Sequence, residues 1–113
     1  MKRLFTSLCT TSLVLFFVQA NAQTARMALI EEATQASCPP CATLNPGYQN
    51  TVNANPETTI FMAYQVWWPG YDPMFLDNPT EVADRVNYYG IDGAPTVVTQ
   101  GSIDNNFNQA SIN

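Results

Sequence analysis

Cys38-Pro39-Pro40-Cys41 places two thiols on either side of two prolines. Thiols this close can open and close a disulfide with little backbone movement. The third cysteine, Cys9, falls in a segment expected to be cut away, so Cys38 and Cys41 are the only cysteines of the mature chain. Three uses of the pair are open: redox exchange, a bracing disulfide and part of a metal site. Bracing is a poor use, because chain entropy gives only about 2 kcal/mol for so short a loop, against about 3 kcal/mol for fifteen residues. Two thiolates make half a zinc site, and a chain without histidine would need carboxylates or a second chain to complete it. A copper carrier using Met62 or Met74 is a further variant, although both side chains also suit apolar packing. Redox exchange is the leading reading, with no metal and no cofactor expected.

Lys2 and Arg3 open the chain, Leu4 to Val18 is mostly apolar, and Ala20-Asn21-Ala22 offers a small-x-small cleavage pattern. Residues 1–22 therefore read as an export signal peptide, with the mature chain starting at Gln23. The apolar stretch is too short and too polar for a membrane span. Cys9 lies near its front, whereas a lipid-modified cysteine would follow it. Export puts the pair in an oxidising setting: periplasmic, outer-membrane-associated or secreted. About ninety residues remain, enough for one small domain. Among them only Arg26 and Arg85 are basic, against nine acids, for a net charge of −7. That balance argues against nucleic acid and anionic lipid as partners. The lack of histidine also removes the commonest general base.

Met27 to Ile30 reads as a buried strand leading into Glu31-Glu32-Ala33. Strand alternation sends only one of the two acids inward. Thr34 to Ser37 is a loop, Cys38 a helix cap and Pro39 the first helical residue. Leu44, Tyr48 and Val52 mark one face of that helix, which Pro46 should kink. Thr58 to Val66 is a second strand. Trp67 to Asp77 has no helical period and reads as a loop, with one of Trp67 and Trp68 packed inward and the other outward. Asn78-Pro79-Thr80-Glu81 carries a capping signal, Val82, Val86 and Tyr89 form an apolar face, and Gly90 is a stop. Thr96 to Thr99 is a third strand. Gly101 to Asn113 reads as a polar tail in which Ile103, Phe107 and Ile112 are isolated. Alternating strands and helices make an α/β pattern with parallel first strands.

Four features in register make residues 27–99 resemble a thioredoxin-fold protein. The CxxC pair opens the first helix after a strand, and Pro46 stands where the family's active-site helix kinks. Glu32 takes the place of a buried acid, and Ala94-Pro95-Thr96 is similar to the family's cis-proline loop. Ser37, however, stands where members usually carry Trp. The Trp67–Pro79 stretch then looks like an insertion. Together WWPGYDPM and NPTEVADRVNYYG resemble thioredoxin-like modules of exported bacterial cell-surface and outer-membrane proteins. The resemblance implies a thioredoxin-like three-layer sandwich over residues 23–100. It also implies that residues 101–113 begin a missing C-terminal part, because a last strand antiparallel to the third and a closing helix are not legible there.

The same resemblance implies an exported thiol–disulfide oxidoreductase whose partners are protein thiols or disulfides. Cys38 would attack, Cys41 would resolve the mixed disulfide, and Glu32 would accept the Cys41 proton. Ala94 and a cis Pro95 would lie beside the sulfurs and receive an extended substrate; Trp67 and Trp68 are further substrate-binding candidates. The helix dipole favours the Cys38 thiolate. Pro39 and Pro40 supply no N–H, which leaves Cys41 as the nearest donor within the motif. The thiol is therefore expected to be less acidic than in the family's most oxidising members. The alternative is a non-catalytic binding module of a larger surface protein, with the Trp-rich segment as its contact face.

Overall fold

Strand β1 (Ala28–Thr34) takes in both Glu31 and Glu32 instead of stopping before them. A computed structural model describes residues 26–112; the signal peptide expected over residues 1–22, with Cys9, lies outside them. β1 pairs in parallel with β2 (Thr59–Gln65), from Ala28↔Thr59 to Thr34↔Gln65, and antiparallel with β3 (Thr96–Thr99), from Ile30↔Thr99 to Ala33↔Thr96. Helix α1 (Pro39–Asn53) links the parallel strands, and α2 (Pro73–Asp77) and α3 (Pro79–Tyr89) link β2 to β3. The sheet order is β2-β1-β3-β4.

Each face of the sheet carries its own core. Ala28, Ile30 and Val97 pack with Val52 of α1 and with Phe107. On the other face Ala33 and Val98 pack with Val82 and Val86 of α3, Val66 and Ile91. Because β1 is covered on both faces, alternation sends one acid into each layer, and neither reaches solvent: Glu31 is 0% exposed and Glu32 3%. This corrects the expectation that only one would be buried. Glu31 is compensated by Arg85, whose Nη1 lies 2.9 Å from Oε1, and by the Tyr89 hydroxyl, which donates to Oε2 at 2.6 Å.

The inward stripe of α1 differs from the expected one. Cys41 and Val52 are buried and Tyr48 packs on the core, while Leu44 is exposed. Positions 41, 45, 48 and 52 follow the 3.6-residue period from the cysteine, and Leu44 falls off it. The helix runs on through Pro46, whose missing N–H leaves the Ala42 carbonyl without its usual helical donor.

The Trp-rich segment is not all loop. Asp72 caps α2 by accepting the Met74 N–H at 2.9 Å, and Pro73 opens the helix. A single turn is too short to show a hydrophobic period. α3 starts at Pro79 as expected, but the Asn78 side chain makes no cap bond. Its backbone N–H instead closes α2 on the Phe75 carbonyl at 3.2 Å, so one residue ends one helix and begins the next. Gly90 stops α3 at φ 67°, and the Ile91 N–H returns to the Val86 carbonyl at 2.9 Å.

The supposed polar tail is built into the fold, and the last strand, expected to be missing, is present. Gln100 (φ 53°) and Gly101 (φ 84°) form a tight two-residue turn of the kind that matches strand twist. It lays β4 (Ser102–Asp104) antiparallel to β3, with Thr99 opposite Ser102. Phe107 is buried and meets the Tyr48 ring edge-on at 5.7 Å, and Ile112 packs beside it. Where the closing helix was expected to be absent stands one 3-10 turn, Gln109–Ser111. Reciprocal amide bonds of 2.8 and 3.0 Å join Gln109 to Asn55, just past the end of α1. Among the described residues no helix is long and apolar enough to cross a membrane.

Phe107→Ala is expected to destabilise the domain by about 3 kcal/mol in urea unfolding, as for a buried aromatic. A loss below about 1 kcal/mol, the range of surface substitutions, would show that the tail does not support the core.

Candidate active site

Cys38 ends the loop after β1 in extended conformation (φ −93°, ψ 107°), and its Sγ accepts the Cys41 N–H at 3.2 Å. Pro39 and Pro40 fill the first two helical positions, and neither offers a backbone N–H to the sulfur. Cys41 is thus the only residue between Cys38 and the end of the motif that can donate to the sulfur. The two sulfurs are joined in a disulfide, with the Cα atoms 5.2 Å apart.

The Ala94–Pro95 bond is cis, and the Ala94 carbonyl oxygen lies 3.4 Å from Cys38 Sγ. A disulfide sulfur carries no proton, so in this state the approach is a contact and not a hydrogen bond. In the dithiol state the same carbonyl could accept the Cys38 S–H. The Thr96 hydroxyl donates to the Gly93 carbonyl at 2.8 Å and holds the loop in place.

Cys38 is only 4% exposed and Cys41 2%, so an open cleft of about 420 Å³ governs access to them. Its walls come from the loop after β1, from α1 (Asn45, Pro46, Gln49), from Gln65 at the end of β2 and from Met74 of α2. None of the lining side chains is charged. Trp67, Trp68, Ala94 and Pro95 do not line the cleft, although Ala94 touches Cys38 from elsewhere. Trp68 packs against the α3-side core while Trp67 is 44% exposed and meets Trp68 edge-on and Phe75 at a tilt, with ring centroids 4.5 and 5.5 Å apart. One indole faces in and the other out, as alternation requires.

A hydrogen-bonded clamp docks the Trp-rich segment onto the loop before Cys38. Asp72, itself buried, accepts the Ala36 N–H at 2.9 Å with the oxygen not used on Met74. Gln35 donates to the Gly70 carbonyl at 2.9 Å, and its Oε1 accepts the Ser37 N–H and hydroxyl at 2.6 and 2.8 Å. Gly70 fits because any Cβ there would come within 2.5 Å of Ser37 Oγ. Sequence reasoning missed Asp72 and Gln35. Asp72-Pro73 repeats the Asn78-Pro79 start signal and was the available clue; nothing in the sequence marked Gln35.

Glu32 lies on the α1 face of β1, two residues before Thr34, which itself lines the cleft. Burial raises its pKa above the ordinary value, with a smaller opposite pull from the Thr34 hydroxyl. Its Oε1 has no hydrogen-bond partner. Asn45 Nδ2 donates to Thr34 Oγ1 at 2.7 Å, so carboxyl, hydroxyl and amide follow one another toward the cleft.

This arrangement of sheet and helices is similar in fold to solved structures. Tryparedoxin II from C. fasciculata superposes with a TM-score of 0.55 at 16% identity, over 75% of this chain and 66% of that one. The chain has a thioredoxin-like fold. A second structure of tryparedoxin II from C. fasciculata gives 0.52 at 20% identity over 77% of this chain and 68% of that one. A third, of tryparedoxin II complexed with glutathionylspermidine, gives 0.56 at 16% identity over 77% and 71%. No family model matches the sequence, and no curated protein matches it. The thioredoxin-like likeness thus rests on shape, and the chain spans 66% of the first tryparedoxin structure's length.

Two outcomes test the geometry. Asp72→Ala removes a helix cap and a tie to Ala36, and is expected to cost about 1–2 kcal/mol and to hasten proteolytic nicking between residues 67 and 77. Unchanged nicking would show that the clamp does not hold the segment. Ionising Glu32 costs more in the folded chain than in the unfolded one. Its contribution to stability is therefore fully present below the unfolded value of 4.5 and is lost as pH rises through the raised folded value. Glu32→Gln should accordingly gain stability relative to the unsubstituted chain as pH goes from about 4 to about 7. Parallel stability–pH curves for the two would rule this out.

Proposed function

We propose that the chain is an exported thiol–disulfide oxidoreductase that exchanges disulfides through Cys38 and Cys41. The observation that carries this reading is the Cys38–Cys41 disulfide at the start of α1, with the Cys41 N–H on Cys38 Sγ. A thioredoxin-like fold around it and a buried acid beneath the cleft add support. Tryparedoxin II, similar in fold, has been solved in complex with glutathionylspermidine, which is consistent with a thiol or disulfide partner here. Export rests on the leader pattern of residues 1–22.

In the reduced protein the Cys38 thiolate attacks one sulfur of a substrate disulfide. A mixed disulfide forms and one substrate thiolate leaves, taking up a proton. The helix N-terminus and the Cys41 N–H stabilise the attacking thiolate. Cys41 then loses its proton to the Glu32 carboxylate and attacks Cys38 Sγ. The Cys38–Cys41 disulfide forms and the second substrate thiolate departs. Two electrons have passed from the dithiol to the substrate. A carboxyl whose pKa is raised by burial is suited to taking that proton and giving it back. Run in reverse, the same steps oxidise a substrate dithiol; the direction follows the reduction potential of the pair against that of its partner.

Equilibration in dithiothreitol buffers should reveal a reversible two-electron couple. Cys38→Ala should reduce exchange to background, while Cys41→Ala should accumulate a mixed disulfide visible by mass. Exchange persisting in Cys38→Ala, or no couple at all, would remove the reading. A partner that stays bound after both cysteines are replaced would favour a binding module.

A further inference from the structure

Among the described residues no cationic side chain lines the cleft at the disulfide. Among the described residues the only cations are Arg26 and Arg85. Arg85 is held on α3 by Glu31. Arg26 precedes β1 and lines a separate hollow with Gln100 and Ile112, at the opposite end of the strand from the cysteines. The ionisable side chains that the structure ties to the elements around the site are acids: Asp72, bonded to Ala36 two residues before Cys38, and Glu32 on the same face of β1 as the cleft residue Thr34. A thiol that carries carboxylates would approach this cleft against the field, with no group to pair it.

What the cleft offers instead is neutral and partly apolar. Met74 forms one wall beside the cysteines and is 54% exposed, an unbranched thioether free to adapt to a neighbour. Leu76 on the same helix and Tyr71 before it are still more exposed. The Asp72–Gln35 clamp fixes all three relative to the loop that ends in Cys38. Both cysteines are nearly buried, and a sulfur that reaches them through this cleft passes beside Met74.

We propose that the α2 segment, through Met74, makes the site selective for cysteines in uncharged polypeptide segments with an apolar flank, and against small anionic thiols. This rests on the exchange reading above and deepens it. The chemistry is unchanged: a peptide disulfide takes two electrons from the Cys38–Cys41 dithiol, which closes as the peptide thiols are released.

The reduced full chain can be mixed with two oxidants and followed by intrinsic tryptophan fluorescence. One is glutathione disulfide; the other is a capped, uncharged peptide disulfide with Leu beside its cysteine. The peptide should react faster by about tenfold or more, as expected for one desolvated apolar contact and one avoided like-charge approach. Met74→Lys should cut the peptide-to-glutathione rate ratio by about tenfold, since it exchanges an apolar wall for a cation. Replacing the peptide's Leu by Glu should slow it toward glutathione disulfide. Equal rates for the two oxidants, or a ratio that Met74→Lys leaves unchanged, would overturn the proposal while leaving the exchange reading intact. Failure of dithiothreitol to reduce the Cys38–Cys41 disulfide would instead remove the exchange reading itself.

Discussion

β1 has a strand on each edge and a packed layer on each face, and most of the structure answers to that position. A polar side chain on such a strand cannot reach water and must find its partners in the layers. Glu31 does so by recruiting Arg85 and Tyr89, both on α3, which anchors that helix over the sheet. The cost is felt by its neighbours. Burial, and then the Glu31 charge, push the Tyr64 phenol up to about 12, and the bond to Glu31 raises Tyr89. Glu32, on the other face, finds less, and its carboxyl is left with a raised pKa and an unpartnered oxygen.

The parallel pairing of β1 with β2 also decides where the chemistry stands. Thr34 is opposite Gln65, so both strands end together, and the Val66 N–H closes on the Thr34 carbonyl at 2.9 Å. The loop to Cys38 and the Trp-rich segment therefore leave the sheet at the same end of the strands. The clamp of Gln35 and Asp72 follows from that shared exit. Crevices beyond the carboxyl ends of parallel strands are the usual place for ligands in open α/β sheets.

Much of this was legible because local signals and packing agree. The Cys38 cap with Pro39 behind it, the Gly90 stop and the β-branched run from Thr96 to Thr99 are read correctly from residue type alone. Where they fail, tertiary context is the cause. Leu44 has the right spacing from Tyr48 but loses its place on the core to Cys41. The two glutamates look like a strand end unless the covering of both faces is known. Residues 101–113 look polar because β4 is a three-residue edge strand in which Ser102 and Ile103 are exposed. Phe107, with Ile112 beside it, ties the segment to the core. The Gln35 bond to the Gly70 carbonyl depends on chain 35 residues away and has no local signature.

The two prolines of the motif have a consequence for the open form of the pair. Each fixes its φ near the helical value, and neither leaves an unpaired donor behind. When the sulfur–sulfur bond is broken, the segment between the cysteines therefore has few conformations to explore, and the freed thiol of Cys41 stays close to Cys38 Sγ. In kinetic language its effective concentration is high, so attack on a mixed disulfide is nearly pre-paid in entropy. In the exchange proposed above, a covalent intermediate with a partner would then be short-lived.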